Sequence, residues 1–253
     1  MQEYISKVKI KDGISILKVH GSTPGVELAK REIYKIIDER TALFLSGGST
    51  PKHLYQILTK ERKLKVGAVA MVDERFGLPF HQNSNEKMIR ETGFLSYLEE
   101  KKIPFYSILR FHPKGVASDI ARDYDEVIQG LFKKFQKRVA ILGIGADGHV
   151  AGIPPRSEKL SPQMRDPAEA GKFKSEKFAA EIDNFPGEFK KRITLTLNAL
   201  SKMDLLMVLV FGEEKREALK LLFSKGSIAE VPARFFKTPE ISQKTLLITD
   251  QKV

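Results

Sequence analysis

The chain contains no cysteine among its 253 residues. That excludes disulfides, thiolate metal ligands and a cysteine nucleophile, and it fits a reducing, cytoplasmic location. Long apolar runs are also missing. The longest, residues 205–211, falls far short of the roughly 20 residues that cross a bilayer. Met1-Gln2-Glu3-Tyr4 lacks a basic segment followed by an apolar one, so no signal peptide is expected. No Gly-x-Gly-x-x-Gly follows the first strands, which argues against a dinucleotide site. Ser46 lies outside any Gly-x-Ser-x-Gly elbow, which argues against a serine nucleophile. With no spaced His/Asp/Glu cluster, no metal is expected, and no cofactor either. Repeats and low-complexity tracts are absent.

Positive charge is in excess, with a formal net charge of +11. It is dispersed, with Lys133-Lys134 and Lys190-Lys191-Arg192 as the densest clusters and no aromatic-interleaved basic tract. Such a chain attracts small anions at long range without a patch for nucleic acid or a membrane surface.

Apolar and polar stretches alternate in a regular way. Residues 8–10 and 14–19 read as a hairpin turning at Asp12-Gly13. Thr23-Pro24 then starts a helix, with Thr23 as its cap and Val26, Ala29, Ile33, Ile36 and Ile37 on one face. Strand-like runs follow at 42–45, 66–72, 105–109, 139–142, 205–211 and 246–249. Helical patterns stand between them, one capped by Ser84, one opening at Ser118 and one over 213–223. Residues 154–191 form a proline-rich excursion with few aliphatics. The alternation predicts one α/β domain over residues 1–253, with a mainly parallel sheet and helices on both faces.

Three of these strands end in polar sequence. The first runs into Ser46-Gly47-Gly48-Ser49-Thr50-Pro51, where glycines and hydroxyls meet a helix N-terminus. Free N–H groups and the positive end of the helix dipole make such a junction an anion site. The second ends in Asp73-Glu74-Arg75. The third, residues 139–142, breaks into Gly143, Gly145 and Gly148 and delivers Asp147 and His149. Histidine is the natural acid/base near neutrality, and Asp147 can orient its ring. His20, His53, His81 and His112 have no comparable setting.

Taken together, Leu45-Ser46-Gly47-Gly48-Ser49-Thr50-Pro51, Val72-Asp73-Glu74-Arg75, Ser84-Asn85, residues 142–149, Arg192-Ile193-Thr194-Leu195-Thr196 and Gly212-Glu213-Glu214-Lys215 resemble the 6-phosphogluconolactonase and glucosamine-6-phosphate deaminase superfamily. The resemblance covers roughly residues 20–250. It implies a modified Rossmann-like α/β fold and a phosphorylated sugar as substrate. It also implies that Ser46, Gly47, Gly48 and Ser49 cradle the phosphate together with Arg192 and Lys215. Asp73 and Gly145 would line the rest of the pocket, and His149, Asp147 and Arg75 would carry the chemistry.

The deaminase branch has a glutamate five residues after the motif histidine, where this chain has Pro154. Asp-Glu-Arg at 73–75 and Arg-Ile-Thr-Leu-Thr at 192–196 match the lactonase branch. Gly77-Leu78 echoes the deaminase, and Val150 and Gly152 replace a threonine and a serine common in lactonases. The balance favours hydrolysis of 6-phosphogluconolactone, a step of the pentose phosphate pathway, with His149 as general base. The alternatives are the deaminase reaction and a non-catalytic sugar-phosphate sensor.

Overall fold

Five consecutive buried residues form β3 (Thr41–Leu45), and β7 (Lys137–Leu142) beside it buries its last four. Continuous apolar runs of this kind suit parallel strands covered on both faces, where each backbone group finds its partner in the ladder. The computed structural model describes residues 5–109, 115–155, 176–183 and 185–253. Its main sheet has eight strands: β1 (Ile5–Lys11), β2 (Ile14–Val19), β11 (Thr245–Thr249), β10 (Leu205–Val210), β7, β3, β4 (Ala68–Met71) and β6 (Phe105–Tyr106), in that spatial order. Every neighbouring pair is parallel except β1 and β2. Those two form the expected hairpin, and Asp12 and Gly13 both have positive φ, which matches the twist of the flanking strands.

The strand order shows where a ligand can enter. From β3 the chain moves outward through α2 (Ser49–Glu61) to β4 and then β6. It returns through α5 (Ala117–Lys134) to β7, on the other side of β3, and continues through α7 (Arg216–Phe223) from β10 to β11. The connections leaving β3 and β7 therefore run in opposite directions. Right-handed crossovers put the two sets of helices on opposite faces, and a crevice opens where they part. α1 (Ser22–Ile36) packs against α2, and α5 packs against the smaller sheet described next. The buried apolar residues join in one cluster. Among the described residues, no helix is long and apolar enough to cross a membrane.

A second, three-stranded antiparallel sheet has the order β5 (Asp73–Arg75), β9 (Arg192–Leu195) and β8 (Ala179–Ile182). Strand β8 lies inside the stretch expected to be an irregular excursion, of which residues 156–175 and 184 lie outside the described residues, as does His112. Burial against α5 stabilises a strand that its composition alone does not signal.

Several boundaries also differ from expectation. Thr23 does not cap α1. Both α1 and α2 begin with the same tetrapeptide, Gly-Ser-Thr-Pro, and in each the glycine is the cap residue, at φ 104° (Gly21) and 112° (Gly48), with no side-chain cap. Proline then falls in the first turn, where its missing N–H costs nothing. Ser84 does cap α3 (Asn85–Glu91), accepting from Lys87 N–H at 3.0 Å. The helix placed at 213–223 is a short 3₁₀ turn over Glu213–Lys215 followed by α7.

Candidate active site

The carboxyl ends of β3 and β7 diverge at a cleft lined by Ser46, Gly47, Gly48, Ser49, Thr50 and Pro51 on one side and Gly143, Ile144, Gly145 and His149 on the other. Asp73, Arg75, Asn85, Ala151, Gly152, Arg192, Leu209 and Lys215 complete its wall. Tyr55 holds the Ser46 loop by donating to the Ser46 carbonyl at 2.8 Å. The Ser46 hydroxyl is buried and has no hydrogen-bond partner among the described residues. No side chain caps α2, so the N–H groups of its first turn remain available to a ligand. At Gly47 a Cβ would overlap the Asn85 carboxamide, so any larger residue would displace Asn85 from its place in the cleft.

The small sheet supplies the cationic wall. Its register sets Arg75 directly opposite Arg192, and Asp73 opposite Thr194. Arg75 donates to the Asn83 carbonyl at 2.7 Å, and its Nε is buried without a partner among the described residues. Arg192 is 8% exposed, with its guanidinium 3.4 Å from the centroid of the Phe185 ring and an ion pair to Asp73 at 3.8 Å. Burial pushes Arg192 down to about 10; Asp73 opposes that shift and Arg75 adds to it. Arg192 therefore remains a cation at neutral pH.

Glu74 explains how two charged residues can flank a fully buried third. Its carboxylate accepts from the N–H groups of Arg75, Asn85 and Glu86 and from the Ser84 hydroxyl, at 2.7–2.9 Å. It thereby ties β5 to the start of α3. Burial nevertheless pushes Glu74 up to about 7 against those four bonds. The tie brings Asn85 to the cleft, where its Nδ2 donates to the Asp73 carbonyl at 2.9 Å and to Oδ2 at 3.3 Å.

The loop after β7 carries the dyad. Asp147 Oδ1 accepts from His149 N–H at 3.1 Å and from its ring Nδ1 at 2.6 Å. Since the partner is a carboxylate, Nδ1 carries the proton, and Nε2 is left as an acceptor with no protein partner among the described residues. Burial raises the Asp147 carboxyl, but the hydrogen bonds and charge of His149 outweigh it and the net shift is downward. Phe185 meets the His149 ring edge-to-face, with centroids 5.2 Å apart. A Cβ at Gly145 would overlap the His149 ring, so the glycine is what leaves the ring its place beside Asp147. Lys215 donates to the Ile144 carbonyl at 3.0 Å, which pins the loop and brings its ammonium into the cleft wall.

Of the residues singled out from sequence, Ser46, Gly47, Gly48, Ser49, Asp73, Arg75, Gly145, His149, Arg192 and Lys215 line this one cleft, and Asp147 stands behind His149. Phe185 and the site role of Asn85 were not foreseen. Asn85 follows the helix cap Ser84, and only its position beside a buried glutamate's anchor brings it to the cleft. Nothing local in the sequence marks Phe185. Val150 is fully buried, and Gly152, at φ 66°, turns toward Asp73 and Arg192. Among the described residues no three His, Asp or Glu side chains are grouped to hold a metal ion.

Comparison with known proteins gives a consistent result. The family model described as glucosamine-6-phosphate isomerases/6-phosphogluconolactonase matches residues 25–247. The 6-phosphogluconolactonase of Synechocystis sp. is 29% identical over 223 residues, covering 81% of this chain and 82% of that protein. The glucosamine-6-phosphate deaminase of Oceanobacillus iheyensis is 25% identical over 233 residues, covering 89% of each. The solved structure of 6-phosphogluconolactonase from Plasmodium vivax matches with a TM-score of 0.76 at 18% identity, covering 97% of this chain and 94% of that one, which is a likeness of fold.

Proposed function

The chain belongs to the glucosamine-6-phosphate isomerase/6-phosphogluconolactonase family, and within it we propose that this protein hydrolyses 6-phospho-D-glucono-1,5-lactone to 6-phosphogluconate, in the pentose phosphate pathway. The observation that carries this reading is the His149–Asp147 pair at the cleft, opposite a helix N-terminus with no side-chain cap and beside Arg75, Lys215 and the buried Arg192.

The phosphate sits against Ser46, Gly47, Gly48 and Ser49, with Arg192 and Lys215 as its cationic partners. Charge-assisted hydrogen bonds are worth about 1.5–3 kcal/mol each, against about 0.3–1 kcal/mol for an exposed helix dipole, so the two side chains dominate the anchor. Anchoring the phosphate fixes the lactone carbonyl near His149. Nε2 takes a proton from water as the water oxygen bonds to C1. Asp147 stabilises the imidazolium that forms. Arg75, beside Arg192, stabilises the negative charge that develops on the carbonyl oxygen. The bond from C1 to the ring oxygen then breaks, and the imidazolium returns its proton to that oxygen. The product carboxylic acid releases a proton to solvent.

Pro154, itself buried, stands where the deaminase branch carries the glutamate of its ring-opening step, which favours hydrolysis over deamination. Turnover should therefore be measured on freshly prepared 6-phosphogluconolactone, with spontaneous opening subtracted. His149→Ala should lower kcat by at least about 100-fold with little change in folding. Near wild-type turnover in that variant would remove His149 as the base. Ammonia release from glucosamine 6-phosphate would instead support the deaminase reading.

A further inference from the structure

Arg192 raises a physical problem. Its guanidinium is buried, yet among the described residues it makes no hydrogen bond: Nε has no partner, and the approach to Asp73, at 3.8 Å, is an ion pair beyond hydrogen-bond range. A buried guanidinium normally spends its five donors on carbonyls or carboxylates. Arg234 engages both terminal nitrogens here, donating to the Ser227 carbonyl, to Glu230 and to the Ser224 hydroxyl at 2.8–2.9 Å, with its Nε alone unpartnered among the described residues. A side chain that must give its donors to a ligand has to be held in some other way.

Phe185 provides that hold. Its ring centroid lies 3.4 Å from the Arg192 guanidinium carbon, and Phe185 is itself 6% exposed, so the cation–π contact is desolvated and near its strongest. A π face fixes the plane of a guanidinium and leaves the in-plane N–H groups unspent. The same ring meets His149 edge-to-face. Phe185 is fixed in turn, its N–H donating to the Lys190 carbonyl at 2.7 Å in the turn that leads back to β9.

We infer that Phe185 is a positioning residue for the anion site: it holds Arg192 by its π face, with the guanidinium donors unspent and turned to an incoming phosphate, and it braces the His149 ring beside it. The inference rests on Arg192 being a phosphate ligand in the function proposed above. Without the aromatic face, Arg192 is free to close the gap to Asp73 and spend its donors there.

The test measures inorganic phosphate binding to the full-length protein by calorimetry, which needs no turnover. It compares wild type with Phe185→Leu, Phe185→Met, Phe185→Tyr and Arg192→Gln, with thermal denaturation to establish that each is folded. Phe185→Leu keeps an apolar side chain and removes the π face; Phe185→Met serves if the leucine variant does not fold. The expected result is about tenfold weaker phosphate binding in the leucine or methionine variant, wild-type binding in the tyrosine variant, and a loss at least as large in Arg192→Gln. Should Arg192→Gln weaken binding while Phe185→Leu matches wild type, Phe185 is not the positioning residue and the phosphate assignment stands. Equal losses in the leucine and tyrosine variants would also overturn the inference, since shape rather than the π face would then matter. No loss in Arg192→Gln would remove Arg192 from the phosphate site, and the inference with it.

Discussion

Asp147→Asn separates the charge of the dyad from its shape. A carboxamide oxygen can keep both contacts that Oδ1 now makes, to the His149 N–H at 3.1 Å and to ring Nδ1 at 2.6 Å. What disappears is the negative charge facing an imidazole that becomes an imidazolium in the transition state. Two unit charges about 4 Å apart interact by about 4 kcal/mol at an effective dielectric constant of about 20, and by about 1 kcal/mol in water. The Asp147 and His149 side chains are 45% and 31% exposed, so solvent screening draws the value toward the lower end. A loss of about 1–2 kcal/mol corresponds to about 5- to 30-fold in kcat. KM should change by less than about twofold, because Asp147 stands behind the histidine and does not line the cleft. The assay is initial-rate hydrolysis of fresh 6-phosphogluconolactone at neutral pH, corrected for spontaneous opening. Wild-type kcat in Asp147→Asn would show that the charge contributes nothing. A loss as large as that of His149→Ala would show that Asp147 acts mainly by setting the ring's tautomer or position, with its charge a minor part of the effect.

Gly145→Ala places a methyl group in the space of the His149 ring. The ring must move away from its position beside Asp147, so kcat should fall by about 10-fold or more with Tm little changed; unchanged kcat would mean that the ring position is not critical. Glu74 makes stability depend on pH with a definite sign. Its folded value, about 7, lies above the ordinary 4.5, so the folded protein keeps a proton that the unfolded chain has released. The associated stability is complete below about pH 4.5, falls as the pH rises toward about 7 and is constant beyond. Tm should therefore decline more steeply across that window in wild type than in Glu74→Gln; parallel profiles would contradict this.

The sheet strands buried on both faces were legible in sequence, because runs such as Leu43, Phe44 and Leu45 or Val139, Ala140, Ile141 and Leu142 have no other economical place in a folded domain. So were the Ser46 loop and the Asp147–His149 turn, since glycines next to hydroxyls, or next to an acid and a histidine, are a local signal. The small sheet was not. Strand β5 is Asp73-Glu74-Arg75, three charged residues that read as the polar end of the preceding strand, and it is a strand of its own because four donors satisfy the buried Glu74. Strand β8 exists through its packing on α5. Arg192 and Lys215 carried no local signal and were identified through the family resemblance. Phe185 could not be identified even so, because its partners are set by packing across the cleft.

By itself, then, the sequence determined the periodicities, the glycines at turns and the three polar strand ends, since each depends on residues a few positions apart. Only the tertiary structure decided that those ends meet at the point where the chain reverses direction across the sheet. Only it decided that the register of a second sheet sets Arg75 opposite Arg192, and that an aromatic ring holds Arg192 with its donors unspent. Those outcomes depend on strand order, register and burial, which are properties of contacts between residues far apart in the chain.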